Sequence, residues 1–260
     1  MDYLNFLQRL HGALEPPTYL EIGIRHGDSL ALARCPSIGI DPGYQLKVEI
    51  SPEATLFEET SDAYFARPDP LAPLGGRRVG MAFIDGMHLA EFALRDFINV
   101  ERLTEWTSVV VFDDILPRDA DEAARDRHTR AWTGDIYKLL AILGRHRPDL
   151  IALRVGTDPT GLLLVLAPDA GSRVLGERYE RIEHEIMAPD PDLLPSDIVE
   201  RRGVLDPETV LGSSIWPLLR EARAGEVPRE KGLPGLRRAV RRDLGKVIAG
   251  PLRRLLPLPA

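Results

Sequence analysis

The stretch YLEIGIRHG, residues 19–27, decides the fold: a short run, apolar apart from Glu21, breaks into Gly23 and Gly27. A run of this kind, without strict polar–apolar alternation, reads as a strand buried on both faces, and the glycines after it mark a tight turn. Working outward, similar runs recur at 37–40, 55–58, 79–84, 109–112, 150–155 and 162–167. Between several of them lie segments with helical periodicity. In the clearest, Leu89 to Leu103, residues Ala90, Ala93, Leu94, Phe97 and Ile98 share one face. Alternating strands and helices predict right-handed βαβ units, hence an α/β protein with a Rossmann-like, doubly wound sheet of seven strands that binds ligands at their carboxyl ends. The last two runs are separated only by GTDPTG, residues 156–161, a turn-rich link that predicts an antiparallel terminal hairpin on a mostly parallel sheet.

The rest of the chain divides around this unit. Residues 1–17 read as an N-terminal helix flanking or lidding the core, with Leu4, Leu7 and Leu10 near one face and an end at Gly12 and Pro16-Pro17. Residues 18–168 form the ligand-binding domain, 169–228 a helical appendage interrupted by the Pro-rich APDPDLLP, and 229–260 a basic amphipathic tail. In the tail, Leu236, Val240, Val247, Ile248, Leu252 and Leu255 stand against many arginines. Nine Lys/Arg and two acids between Arg229 and Arg254 leave −14 on the remainder of a chain whose formal charge is −7. The pattern is compatible with an anionic membrane surface, an acidic partner or a subunit contact, and a homo-oligomer is expected.

The negative total argues against a broad nucleic-acid-binding face, and 44% hydrophobic content over 260 residues fills one full-sized core. The longest apolar run, Leu162 to Ala167, is too short to span a bilayer. The single Cys35 excludes a disulfide framework and a multi-cysteine zinc site, so a soluble cytoplasmic protein acting on a small molecule is expected.

Small residues at Gly23 and Gly27 allow ligand atoms close to the backbone just after the first strand. The second strand ends in IGIDP, placing Asp41 twenty residues after Glu21, where a carboxylate accepts hydrogen bonds from both hydroxyls of a ribose. This points to an adenosine-containing cofactor. A dinucleotide loop would read G-x-G-x-x-G to admit a pyrophosphate, whereas this one reads G-x-x-x-G with a preceding Glu. A simpler reading stands beside it, in which the glycines only turn the chain and Asp41 caps a helix.

Three carboxylates fall at the carboxyl ends of adjacent strands: Asp85 in FIDGMH, and Asp113 with Asp114 in VVVFDD. Converging acids repel one another unless protonated or neutralised, and an oxygen-rich cluster suits Mg²⁺ or another divalent cation. His88, three residues after Asp85, opens the following helix, where it is either a proton acceptor beside the ion or a polar cap.

The glycine loop resembles motif I of class I S-adenosylmethionine-dependent methyltransferases. VGMAFIDGMH (79–88) and VVVFDD (109–114) resemble the fourth and fifth strands of their cation-dependent small-molecule O-methyltransferase branch, which includes macrolide-sugar and catechol O-methyltransferases. The resemblance spans Tyr19 to Pro168. It implies that Glu21, Gly23 and Gly27 face the amino-acid part of S-adenosylmethionine, that Asp41 holds the ribose, and that Ser61 and Asp62 lie near the adenine. For Ser61 and Asp62 a helix-capping role is comparable. The resemblance further implies that Asp85, Asp113 and Asp114 ligate the ion, with Asp85 and His88 acting in catalysis and His88 as general base toward a hydroxyl on a sugar or aromatic ring of a secondary metabolite. The alternatives are a cation-independent N- or C-methyltransferase, a nucleotide-sugar or dinucleotide enzyme, and a silent cofactor-binding protein.

The polar segment PRDADEAARDRHTRAWTGDIYKLL, residues 117–140, is long enough for a substrate lid. There Trp132 is a candidate to stack on a sugar or aromatic ring and Asp135 to orient a hydroxyl, with Lys138 beside them. Loop anchoring by Trp132 and helix capping by Asp135 are the competing roles. His11, His26, His128, His146 and His184 lack such company and read as surface residues, His26 alone lying in the cofactor loop.

Overall fold

A computed structural model describes residues 1–187 and 194–245. Its strands are β1 (Tyr19–Ile22), β2 (Ser37–Ile40), β3 (Ala54–Phe57), β4 (Val79–Ile84), β5 (Thr104–Phe112), β6 (Ile151–Val155) and β7 (Leu162–Leu166). They form one sheet of order β3-β2-β1-β4-β5-β7-β6, parallel from β3 to β5, with β7 antiparallel to both β5 and β6. The seven strands and the terminal hairpin are those the sequence predicts. Strand order reverses between β1 and β4, so their carboxyl ends flank the crevice in which a doubly wound sheet takes its ligand.

The expectation of strands buried on both faces holds for β1, β2, β4 and β7 but not at the margins. The edge strand β3 is largely part-exposed and β6 alternates, because an edge lacks a neighbour and is only partly covered by helices.

The helices are α1 (Tyr3–Leu14), α2 (Ser61–Phe65), α3 (Ala90–Glu101), α4 (Lys138–His146), α5 (Val174–Glu177), α6 (Tyr179–Ile186), α7 (Ser196–Val199), α8 (Pro207–Leu211), α9 (Ile215–Ala224) and α10 (Arg229–Asp243). One core cluster joins the sheet to α3, α4 and α6 through Leu94, Phe97, Leu139, Ile142 and Ile182. The other joins it to α1, α9 and α10 through Phe6, Leu10, Trp216, Leu219, Leu236 and Val240. The N-terminal helix is therefore part of the core: Phe6, Leu7, Leu10 and Leu14 are fully buried, while Leu4 sits at the margin. It runs through Gly12 and stops at Glu15, whose φ of 47° is left-handed.

The described residues beyond 168 add the C-terminal helices α5 to α10, of which α9 and α10 pack on the sheet. Leu236 and Val240 of α10 face the same interior as Trp216, each stabilising that packing by about 2 kcal/mol, so their side of the helix is turned away from any membrane. What α10 leaves outside is mostly cationic: Lys231, Arg237, Arg238, Arg241 and Arg242 are exposed, beside Glu230. Val247, Ile248, Leu252 and Leu255 lie outside the described residues, as does most of the Pro-rich linker. Among the described residues no helix is long and apolar enough to cross a membrane.

Two histidines expected at the surface are inside. His11 lies on the buried side of α1, edge-on to Tyr19 at 4.8 Å, and burial lowers its pKa to about 4. The His146 side chain is tucked beside Glu185 at 3.8 Å.

Candidate active site

The loop leaving β1 is held by close contacts made at two glycines. Gly23 has φ +91°, and a Cβ there would stand 1.9 Å from the carbonyl oxygen of Asp85; Gly27 has φ +87°, and a Cβ there would stand 2.8 Å from Leu46 Cδ2. The loop thus closes against the end of β4 on one side and against residues 43–50 on the other. Those residues cross it through Gln45 N–H to Arg25 O at 2.7 Å and Lys47 N–H to His26 O at 3.0 Å. The His26 ring is taken up by the same crossing, with Nδ1 3.2 Å from Gln45 O and Nε2 3.0 Å from Lys47 Nζ. Asp41 ties the loop to the end of β2, accepting Arg25 N–H at 2.8 Å and Gly43 N–H at 2.7 Å. It caps a loop and no helix, and a second lone pair remains on each oxygen.

Glu21, expected to face a ligand, does not. It is fully buried on the inward side of β1, where its carboxyl accepts from Tyr19 Oη and Ser29 Oγ, both at 2.7 Å. Burial pushes it up to about 7 against those two hydrogen bonds. Its position makes it a clamp on the glycine loop through Ser29. Ser61 and Asp62 open α2, but its cap is Thr60. Ser61 hydrogen-bonds Asp96 of α3 and Asp62 pairs with Arg95 at 2.7 Å, so both side chains are engaged by α3.

At the ends of β4 and β5 the structure brings together Asp85, His88 and Asp114, with one ligand-type atom of each within 4.8 Å of the others. His88 and Asp114 both adopt left-handed φ, +53° and +63°, a cost that non-glycine residues bear mainly where the surroundings dictate it. His88 Nδ1 stands 2.6 Å from Asp114 Oδ2, and Nε2 stands 3.7 Å from Asp85 Oδ1. Nδ1 is nonetheless buried without an aligned hydrogen bond.

Asp113 is not part of that group. It borders the same small cavity, about 10 Å³ and so about one water in size, but its Oδ1 turns back to accept the Asp114 N–H at 2.8 Å. Burial first, then the charges of Asp113 and Asp114, holds the Asp85 carboxyl well above the usual range; Asp113 is raised by burial and by Asp114. Acids that repel one another, Asp113 and Asp114 buried and Asp85 part-buried, beside an imidazole nitrogen with no aligned partner, form a donor set that a divalent cation fits.

The 117–137 segment encloses His88. Trp132 stacks on its ring, centroids 5.2 Å apart and planes 16° apart, and donates Nε1–H to Ala124 O at 2.6 Å. One face of the indole expected to meet a substrate ring thus meets the imidazole. Gly134, φ +57°, lies so close to His88 that a Cβ would stand 1.7 Å from the His88 carbonyl oxygen.

Asp135, expected to orient a substrate hydroxyl, is completely buried. Its Oδ1 accepts the Ala90 N–H at the start of α3 at 2.8 Å, and its Oδ2 meets Arg125 at 2.7 Å and Lys138 at 2.9 Å. Arg125 also pairs with Glu91 at 2.6 Å. Asp135 is a cap after all, but of a helix 45 residues upstream. Asp135→Ala would remove the buried carboxylate that joins Arg125, Lys138 and the Ala90 amide, and thermal unfolding is expected to show a midpoint lower by about 10 °C. An unchanged midpoint would return Asp135 to the substrate side.

Two residues of the site carry no signal in the motifs. Gly134 is marked only as a turn residue in a long loop. Tyr3, at the start of α1, stacks on Phe83 at 6.4 Å, two residues before Asp85; the only hint was an aromatic at a helix start.

No protein-family profile and no curated protein matches this chain. Among solved structures it is similar to the O-methyltransferase TomG from Streptomyces achromogenes in complex with SAM (18% identity, 63% of this chain and 78% of that one, TM-score 0.46). It is also similar to an O-methyltransferase from Bacillus cereus in complex with SAH (17%, 63% and 80%, 0.41) and to the SAH-bound Podospora anserina methyltransferase PaMTH1 (12%, 64% and 78%, 0.45).

Proposed function

We propose that this chain is an S-adenosylmethionine-dependent O-methyltransferase that uses a divalent cation, Mg²⁺ by the carboxylate-rich donor set, to methylate a hydroxyl on a sugar or aromatic ring. One observation carries the reading: the glycine loop after β1, Asp41 after β2 and the Asp85–His88–Asp114 group after β4 and β5 share one end of a doubly wound sheet, around its switch point. When bound, S-adenosylmethionine supplies an electrophilic methyl group and the cation acidifies a neighbouring hydroxyl.

The chain's own residues do the rest. Asp41 has lone pairs left for a ribose, and Asp85 and Asp114 hold the cation. His88 turns Nδ1 to Asp114, which leaves Nε2 as the nitrogen that takes the acceptor's proton. Trp132 covers one face of the imidazole and keeps water from it. Transfer needs no covalent enzyme intermediate, so the remaining task is alignment of oxygen, carbon and sulfur.

Calorimetric titration of S-adenosylhomocysteine, with Mg²⁺ and with EDTA, is expected to give a dissociation constant on the order of micromolar and a separate Mg²⁺ signal. No heat from either would end the reading; cofactor binding without a cation effect would leave a cation-independent methyltransferase. The proximity of His88 to both acids favours one further reading, in which His88 is itself a ligand. His88→Ala discriminates. As a base its loss leaves Mg²⁺ affinity intact while transfer to glycosylated and phenolic acceptors falls about 10²- to 10⁴-fold; as a ligand its loss abolishes the Mg²⁺ signal.

A further inference from the structure

We propose that Tyr3 is a positioning residue for the amino-acid end of the cofactor, its phenol O–H donating a hydrogen bond to that end's carboxylate. The inference rests on the S-adenosylmethionine reading above and adds a residue of α1 that no motif marks.

Three contacts place Tyr3. Its backbone N–H donates to Asp158 O at 3.1 Å, Asp158 N–H donates to Met1 O at 2.8 Å, and the N-terminal ammonium lies 3.3 Å from the Asp158 carboxylate. Asp158 belongs to the turn between β6 and β7, which meets the segment after β5 through Leu116 N–H to Thr160 O at 2.7 Å. The first turn of α1 is thereby tethered at the carboxyl end of the sheet. The ring then lies nearly parallel to Phe83, planes 28° apart, on the approach to Asp85.

The hydroxyl has no hydrogen-bond partner among the described residues, and the residue is half-buried. Four acids act on it electrostatically: Asp113 and Asp85 after β5 and β4, Asp28 in the glycine loop and Glu21 on β1. Burial, then these four charges, pushes the phenol far above its usual range, so it remains a proton donor. Tyr3 therefore stands at the carboxyl end of the sheet beside β4, within electrostatic reach of both halves of the site.

The chemistry of the ligand completes the argument. The amino-acid end of S-adenosylmethionine carries an ammonium, which acids welcome, and a carboxylate, which the same acids repel. That carboxylate needs a donor that does not neutralise the acids around it, and a neutral phenol with a free O–H is such a donor. The nearest rival is Arg25, whose charge Asp85 feels but whose side chain is exposed.

The test compares two ligands on the full-length protein: S-adenosylhomocysteine, which has the amino-acid end, and methylthioadenosine, which lacks it. Tyr3→Phe keeps the ring on Phe83 and removes only the hydroxyl. It is expected to weaken S-adenosylhomocysteine about tenfold and methylthioadenosine less than about twofold, with the thermal midpoint held within about 2 °C. Equal weakening of both ligands, or none, would overturn the proposal and leave the methyltransferase reading standing. Selective loss in Arg25→Ala but not in Tyr3→Phe would overturn it in favour of Arg25. If the unmodified protein binds neither ligand, both the proposal and the reading beneath it fall.

Discussion

Asp85→Asn and Asp114→Asn are each expected to weaken divalent-cation binding by at least about 100-fold, the upper end of what loss of a mere outer-shell partner does, whereas Asp113→Asn should weaken it less than about tenfold. The asymmetry follows from where the side chains point. Asp85 and Asp114 contribute ligand-type atoms to one group with His88, while Asp113 spends an oxygen on the amide of Asp114, a residue whose left-handed φ needs that support. Manganese electron paramagnetic resonance on the three variants measures this directly. Equal losses at all three positions would restore the three-aspartate ligand set that the resemblance implies.

The same acids set a pH dependence. A buried carboxyl whose folded pKa is raised stabilises the fold while protonated, and that contribution is lost as pH rises from the ordinary carboxylate range through the raised value. Metal-free protein is therefore expected to lose stability over that interval. An added cation should offset the loss, because it binds the deprotonated acids and favours the folded state.

Gly134→Ala is expected to disable the site from a distance along the chain. The residue holds φ +57°, where a side chain costs about 1–2 kcal/mol, and a Cβ would meet the His88 carbonyl oxygen at 1.7 Å. Backbone cannot yield as a flexible side chain can, so either the 117–137 segment lifts or His88 moves. Overpacking costs about 1–3 kcal/mol more. The expected result is a destabilisation of about 2–5 kcal/mol in thermal unfolding together with loss of methyl transfer. A stable variant with normal transfer would show that the contact between Gly134 and His88 has no part in placing the imidazole.

Much of the fold was legible because its signals are local. Seven short apolar runs, a helical repeat between them and the GTDPTG link each depend on neighbours within a few residues, and together they predict a sheet whose strand ends bring Asp85 and Asp114 close. Where burial depends on the whole, reading residue by residue failed. His11 looked like a surface histidine, and Leu236 and Val240 looked like one side of a free amphipathic helix. All three face the core, because α1 and α10 are needed to cover one face of the sheet.

The site divides along the same line. The identity and spacing of Gly23, Gly27, Asp41, Asp85, His88, Asp113 and Asp114 are properties of the sequence, and so is the end of the sheet at which they gather. Which carboxylate oxygen remains free is not, because that depends on partners far away in the chain. Glu21 is buried against Tyr19 and Ser29, Asp113 gives one oxygen to the next amide, and Asp135 is shared by Arg125, Lys138 and the amide of Ala90. Only the tertiary structure decided these assignments, since a buried polar group takes whatever donor the packing brings within reach, and sequence spacing does not encode that distance.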